Sequence, residues 1–184
     1  MPRNSEMDSI TVKDKSFRPY ISEEEISASV DQVALAINAD YKGSQPLFLG
    51  VLNGSFMFFG DLLKAIQLEC TVSFVKLASY EGTNTTGIVN ELIGLNEDIS
   101  GRDVILVEDI VDTGNTLVKL FDSLSDKNPK SIKIATLLFK PAAYQKSYVI
   151  DYVGKEIPND FVLGYGLDYD GLGRNLSSIY VLNE

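Results

Sequence analysis

The sequence has 184 residues, 26 of them acidic and 16 basic, and its formal net charge is −10. Such a chain repels polyanions at long range, which argues against nucleic acid and anionic membranes as partners. Histidine is absent, which excludes Ser-His-Asp and Cys-His catalysis and histidine-based zinc sites. The one cysteine, Cys70, and a polar N-terminus without an apolar signal segment predict a cytoplasmic location.

Strand and helix patterns alternate from the first third of the chain onward. Ser22 and Glu25 have the spacing of a capping box, and the apolar residues that follow recur at helical intervals, so residues 22–40 are predicted to form a helix. The continuous apolar run 46–52 predicts a strand that is buried on both faces. A turn and a second helix, ending near Ile66, follow it.

The remaining chain continues this alternation and predicts an α/β fold. A helix is expected after Gly114, and further strands are expected at 72–78, 103–107, 132–139, 148–153 and 161–163. This order favours one domain, residues 1–184, with a mainly parallel twisted sheet flanked by helices. Ligands of such sheets bind at the carboxyl ends of the strands, which here are the turn after residue 52, the segment 108–116 and the loop after Phe139.

The segment after the strand at 103–107 carries the strongest chemical signal. Three carboxylates are followed by four residues that open a helix: Glu108, Asp109, Asp112, Thr113, Gly114, Asn115 and Thr116. The amides and hydroxyls at the helix start can cradle a phosphate, and the first two carboxylates can accept hydrogen bonds from ribose hydroxyls, directly or through a hard metal ion. Asp112 is a candidate general base or acid. A plain capped turn needs fewer of these groups.

The segment Glu108–Thr116 resembles the phosphoribosyl-pyrophosphate signature of the type I phosphoribosyltransferases: two acidic residues, two apolar residues, then Asp-Thr-Gly-x-Thr. Further matches, from about Phe48 to Leu182, narrow the resemblance to the hypoxanthine/guanine phosphoribosyltransferases. The resemblance implies a small hood built from the N- and C-terminal segments, dependence on magnesium (Mg2+), and a homodimer or homotetramer. It also implies purine salvage, in which 5-phosphoribosyl passes from phosphoribosyl pyrophosphate to N9 of hypoxanthine or guanine.

Two segments resemble the family's pyrophosphate site. Leu52, Asn53 and Gly54 match a loop in which the family has Lys or Arg at the position of Asn53, on a non-proline cis peptide. Arg174 matches an arginine that contacts pyrophosphate, and Gly173 precedes it where the family usually has an aromatic residue.

Other matches concern the purine, a metal ion and a lid. Lys140 matches the lysine that donates to the 6-oxo group, which adenine lacks. Phe161 matches the ring that stacks on the base, and the backbone of Val162 meets the base edge. Glu108 and Asp109 are assigned to one magnesium ion. Asp168 matches a carboxylate that is associated with a second magnesium ion. Ser79 and Tyr80 begin a segment that resembles the family's mobile lid.

Three alternatives differ from this hypothesis. A xanthine-preferring enzyme of the same family would share most of these residues. A nucleotide-sensing regulator of the same fold would bind RNA or protein, and the acidic composition argues against RNA. A phosphotransfer domain with Asp109 as nucleophile would need Asp-x-Asp spacing, whereas Asp109 and Asp112 are three positions apart.

Overall fold

The computed structural model describes residues 8–81, 88–95 and 97–183 of the protein. Three helices lie in this part of the chain: α1 Glu23–Asp40, α2 Phe56–Ala65 and α3 Asn115–Ser125. The strands are β1 Ile10–Val12, β2 Lys15–Ile21, β3 Leu47–Val51, β4 Thr71–Glu81, β5 Ile88–Ile93, β6 Asp103–Val111, β7 Ser131–Phe139, β8 Tyr152–Glu156, β9 Val162–Leu163 and β10 Ile179–Leu182.

The larger sheet has the strand order β5-β4-β3-β6-β7-β8. Five of its strands run parallel, and β5 pairs with β4 in the antiparallel direction. Successive side chains of a strand point to opposite faces. Accordingly, Phe48 and Ile105 are buried with residues of α1 and α2, whereas Leu49 and Leu106 are buried with residues of α3. The predicted α/β fold, a mainly parallel sheet flanked by helices, is therefore confirmed.

The first helix begins and ends as its sequence predicts. The Ser22 hydroxyl accepts a hydrogen bond from the Glu25 amide at 3.2 Å, and the Glu25 carboxylate accepts one from the Ser22 amide at 3.0 Å. The buried face of α1 includes Ile26, Val30 and Ile37. This apolar stripe covers one face of the sheet and fixes the helix against it.

Three strand predictions differ from the structure, and β5 was not predicted. The strand expected at 72–78 continues as β4 to Glu81, which includes Ser79 and Tyr80. The strand expected at 148–153 lies at β8, four residues further along the chain. The strand expected at 103–107 continues as β6 to Val111, because its pairing with β7 extends to the Val111–Phe139 pair. Glu108 and Asp109 therefore lie inside the sheet rather than beyond its edge.

A second sheet of four antiparallel strands forms the hood implied by the resemblance. Its order is β1-β2-β10-β9, so the two N-terminal strands lie side by side and are joined to the two C-terminal strands through the pairing of β2 with β10. The sequence patterns did not predict β1, β2 or β10, because short strands pairing across most of the chain carry little local signal. No helix within residues 8–81, 88–95 and 97–183 combines the length and apolar composition that membrane crossing requires.

We expect Ser22→Ala to lower the free energy of unfolding by about 1 kcal/mol, because the substitution removes one half of the capping box. Urea denaturation followed by circular dichroism measures this change. Ser27→Ala, at an exposed position inside the same helix, is the matched control and should be neutral or slightly stabilising because alanine has the higher helix propensity. Equal losses in the two variants would contradict the capping role.

Candidate active site

Three segments that follow parallel strands meet at one edge of the larger sheet, as predicted. The strands β3, β6 and β7 are neighbours, so the residues after them share that edge. The ammonium of Lys140, which is only 7% exposed, lies 3.1 Å from a carboxylate oxygen of Asp112. The amide of Lys140 also donates to the carbonyl of Val111 at 2.9 Å. The predicted base-selecting cation and the acidic segment therefore share one cleft.

The loop after β3 contacts the acidic segment directly. The peptide bond between Leu52 and Asn53 is cis, as the resemblance implied. A Cβ atom added to Gly54 would overlap the carboxylate of Asp109, and one added to Gly166 would overlap the carbonyl of Gly54. Only glycine fits at these two positions without displacing a neighbour. Gly166 was not predicted as a site residue, because neither its spacing nor its neighbours in sequence indicate this contact.

The two adjacent carboxylates at the end of β6 are held in poorly hydrated positions. One oxygen of Glu108, Oε2, is buried and has no hydrogen-bond partner among the described residues. Burial raises the pKa of Glu108 well above its ordinary value, and the charge of Asp109 raises it further. Burial also raises the pKa of Asp109 to about 6, although backbone amides and the nearby Arg174 favour its charged form. A cation bound here would relieve this electrostatic cost.

The predicted metal ligands do not form a single protein-only centre. Within the part of the chain that the structure describes, no group of three or more acidic, histidine or cysteine side chains is arranged to hold a metal ion. Asp168 instead pairs with Arg174 at 2.6 Å and accepts a hydrogen bond from the Gly171 amide at 2.7 Å. The unpartnered oxygen of Glu108 nevertheless fits a magnesium ion, which is usually bound by one or two carboxylates together with substrate phosphates and water.

The start of α3 has the features of a phosphate site. Gly114 is the N-cap residue, has a φ of +79° and offers no side chain to cap the helix, and the amide of Asn115 donates to the Thr113 hydroxyl at 3.5 Å. A cavity of about 90 Å³ lies at this end, lined by Glu108, Thr113, Asn115, Thr116 and other residues of the turn. Tyr144 was not predicted as a neighbour of this turn, and its ring atom Cε2 would lie 2.5 Å from a Cβ on Gly114. The loop that carries Tyr144 thus packs against the turn at Gly114.

Two of the predicted base-binding residues, Phe161 and Val162, lie at the start of β9 in the hood. The ring of Phe161 is 44% exposed, and Val162 is buried in β9. The Phe161 carbonyl accepts a hydrogen bond from the amide of Leu182 at 3.0 Å, which fixes its backbone to β10. Among the described residues, no hydrogen bond, ion pair or ring contact joins Phe161 to Lys140.

The predicted lid lies mostly outside the described residues. The backbones of Ser79 and Tyr80 belong to β4 and pair with Asn90 and Val89 of β5. Residues 82–87, which complete the Gly- and Thr-rich stretch, are not described. The lid stays a prediction from the resemblance.

Comparison with known proteins identifies relatives along most of the chain. Residues 21–170 match the family described as phosphoribosyl transferase domain. The chain is 43% identical to the hypoxanthine phosphoribosyltransferase of Escherichia coli strain K12 over 162 residues, which are 86% of this chain and 91% of that protein. Its fold is similar to the crystal structure of a hypoxanthine-guanine phosphoribosyltransferase from Bacillus anthracis, with a TM-score of 0.79, 36% identity, and coverage of 90% of this chain and 96% of that chain.

A further relative is a larger protein. The chain is 42% identical over 163 residues, or 88% of its length, to the bifunctional protein TilS/HprT of Listeria innocua. It spans only 25% of the length of that relative.

We expect Asp109→Asn to stabilise the fold at neutral pH. Because the folded protein holds the Asp109 proton to about pH 6 and the unfolded chain releases it near 3.8, wild-type stability falls as the pH rises between these values. The amide has no proton to lose, so the variant should be more stable by about 1–3 kcal/mol above pH 6.5 and equal to wild type below pH 4, at roughly 1.4 kcal/mol per pKa unit.

Urea denaturation at a series of pH values from 4 to 8 tests this expectation. Asp31→Asn, which changes an exposed carboxylate in α1, is the control and should show little pH-dependent difference from wild type. A variant at position 109 that is less stable than wild type at pH 7 would contradict the electrostatic cost assigned to the pair.

Proposed function

The chain belongs to the phosphoribosyl transferase family, and from this we propose that it is a purine-salvage enzyme acting on hypoxanthine and guanine. It transfers 5-phosphoribosyl from phosphoribosyl pyrophosphate to N9 of the base and yields IMP or GMP and pyrophosphate. The observation that carries the proposal is the contact between the buried ammonium of Lys140 and Asp112, beside the phosphate-site geometry at the start of α3. One cleft therefore offers a donor for an oxo-purine and a cradle for a sugar phosphate.

The acidic segment and its neighbours bind the phosphoribosyl donor. The amides at the start of α3 and the hydroxyls of Thr113 and Thr116 hold the 5-phosphate, because a helix start carries hydrogen-bond donors and partial positive charge. Glu108 and Asp109 accept hydrogen bonds from the ribose hydroxyls. Arg174 supplies a cation for the pyrophosphate, and it lies close enough to Asp109 to lower the pKa of that carboxyl against the effect of burial.

The loop after β3 contributes backbone amides to the pyrophosphate site, which it shares with the cation of Arg174. Backbone amides of Asn53 and Gly54 face the ligand, so this role survives the change from a basic residue to Asn53. The tight packing of Gly54 on Asp109 keeps the loop beside the ribose.

Glu108 and Asp109 are the residues that would hold a magnesium ion at the ribose, and Asp168 is assigned to a second ion at the pyrophosphate. Bound magnesium neutralises charge on the leaving pyrophosphate. The unpartnered oxygen of Glu108 supports this assignment, because a hard cation is the partner that a buried carboxylate oxygen lacks here. Asp168 shares its oxygens with Arg174 and the Gly171 amide, and each oxygen retains a further lone pair.

The base side combines selection with proton handling. Lys140 donates to the 6-oxo group and cannot accept from the 6-amino group of adenine. As the bond from C1 to pyrophosphate breaks, its electron pair leaves with pyrophosphate and N9 bonds to C1. Asp112 takes the N7 proton or holds it by hydrogen bond. Phe161 stacks on the ring and the Val162 backbone meets its edge, so positioning and charge stabilisation lower the barrier.

We also propose that the protein assembles with copies of itself, as a dimer or tetramer, and works in the cytoplasm. Val72 and Phe74 are 48% and 39% exposed on one face of β4, and such an apolar surface favours self-association. Burial raises the pKa of the Cys70 thiol, which is consistent with an unreactive cysteine in a reducing compartment.

The proposed function is tested by incubating the protein with phosphoribosyl pyrophosphate, magnesium and each of hypoxanthine, guanine, xanthine and adenine. Chromatography of the products measures the nucleotide monophosphates. We expect IMP and GMP to form and AMP to be absent. Faster formation of XMP than of either would favour the xanthine alternative, and the absence of every nucleotide would refute the proposal.

We expect Asp112→Asn to lower kcat on the order of 10²-fold while changing the KM of either substrate only slightly, because the amide keeps the shape but cannot take a proton. Steady-state kinetics with hypoxanthine measures the effect. Asp122→Asn, which removes an exposed carboxylate of α3, serves as the control. Equal turnover in wild type and Asp112→Asn would refute the role.

We expect Lys140→Met to weaken binding of 6-oxopurines about 10- to 100-fold, because a charged donor is lost at a buried site. Binding of phosphoribosyl pyrophosphate with magnesium should be retained. Isothermal titration calorimetry measures both ligands separately. Lys133→Met, which removes a lysine paired with Asp40, is the control. Loss of both ligands in Lys140→Met would count against a base-specific role.

A further inference from the structure

The ring assigned to base stacking is supported by two other aromatic rings. Tyr169 meets Phe161 edge-on, with ring centroids 5.9 Å apart and an interplanar angle of 84°. Phe17 of β2, which is fully buried, lies 6.2 Å from both rings. The orientation of the exposed Phe161 ring is therefore set by contacts on its protein side, and Tyr169 is the half-buried member of this set.

Tyr169 is in turn anchored to the turn between β1 and β2. Its hydroxyl donates to a carboxylate oxygen of Asp14 at 2.8 Å. The ammonium of Lys15 lies 5.0 Å from the centroid of the Tyr169 ring and 5.9 Å from that of Phe161, within the range of cation–π attraction. Lys13, in the same turn, forms an ion pair with Asp170. Two residues of this turn and the first residue of β2 thus fasten a loop that is more than 150 positions away in sequence.

The backbone of Tyr169 lies in the loop that carries the residues assigned to pyrophosphate, Asp168 and Arg174. Its amide and carbonyl form hydrogen bonds with Leu172 at 3.0 and 3.1 Å, which closes a tight loop. The preceding residue, Asp168, is the partner of Arg174. Tyr169 therefore joins the segment that carries the pyrophosphate ligands to the ring that carries the base.

We propose that Tyr169 is a positioning residue for the purine, which holds the Phe161 ring in its stacking orientation through its edge-on contact and its bond to Asp14. This inference rests on the proposed function, because it assigns Phe161 to the base. Tyr169 acts through Phe161 and does not itself touch the substrate. Its loss should weaken base binding while leaving the binding of phosphoribosyl pyrophosphate intact, although its backbone lies next to Asp168.

Two substitutions separate the ring contact from the hydroxyl anchor. Tyr169→Leu removes both and should raise the KM for hypoxanthine about threefold to tenfold, the range expected for one edge-on aromatic pair. Tyr169→Phe keeps the ring and should raise it about twofold to threefold through the lost hydrogen bond. The KM for phosphoribosyl pyrophosphate should stay within about twofold of wild type in both, since the pyrophosphate contacts are retained. Steady-state kinetics with each substrate varied in turn measures these values.

A tyrosine in β8, the edge strand of the larger sheet, supplies the matched control. Tyr152, the first residue of β8, donates to Asp40 at 2.7 Å, and the ammonium of Lys133 lies 5.3 Å from its ring centroid. Tyr152→Phe and Tyr152→Leu thus remove a hydroxyl–carboxylate bond and a cation–π contact away from the cleft. Because Tyr152 is buried in the core, they should lower the melting temperature at least as much as the variants at position 169 and leave both KM values unchanged.

The outcomes separate this inference from the proposed function. A selective rise in the KM for hypoxanthine in Tyr169→Leu, absent in Tyr152→Leu, supports the positioning role. If wild-type protein makes IMP but Tyr169→Leu shows an unchanged KM for hypoxanthine, or equal rises in KM for both substrates, the inference alone is overturned. A wild-type protein that makes no nucleotide would overturn both. If Tyr169→Leu does not fold, the same criteria apply to Tyr169→Phe and to Asp14→Asn, which removes the anchor from the other side.

Discussion

Two neighbouring carboxylates enclosed by the sheet impose the main constraint on this protein. Glu108 and Asp109 lie inside β6, and their surroundings favour the neutral acids over the charged pair. In a chain with a net charge of −10, only local groups can offset such charge. Arg174 reaches one side, and a cation brought with the substrate would complete the balance. The protein's own groups thus balance this charge only in part, and under the proposed function a metal-bound polyphosphate would supply the rest.

The parallel sheet converts this local chemistry into a site. Because β3, β6 and β7 are adjacent, three short segments that are distant in sequence end beside one another. The ion pair between Asp112 and Lys140 links two of these segments, and the packing of Gly54 on Asp109 links the third. The hood adds the aromatic surface from strands at both ends of the chain. The proposed sugar site therefore lies at this edge, whereas the proposed base site combines Lys140 at the edge with Phe161 in the hood.

Local patterns predicted those parts of the structure that depend on neighbours in sequence. The capping box and apolar stripe of α1, the buried run of β3 and the glycine before α3 carry their signal within a few residues. The continuation of β6 through Glu108 depends on pairing with β7, and polar residues gave no sign of it. The contact between Asp14 and Tyr169 spans 155 positions, so no periodicity could reveal it. Site residues were found chiefly through the family resemblance.

The hood joins the two ends of the chain, and this has a consequence for the order in which the molecule gains its native contacts. Asn183 bonds to Ser16 across 167 positions, and β10 lies between β2 and β9. Pairing of such remote strands must overcome a large loop-closure entropy, whereas the unit of β6, α3 and β7 closes over short loops. We therefore expect the turn at the start of α3 to gain its native contacts before the ring cluster of Phe17, Phe161 and Tyr169 does.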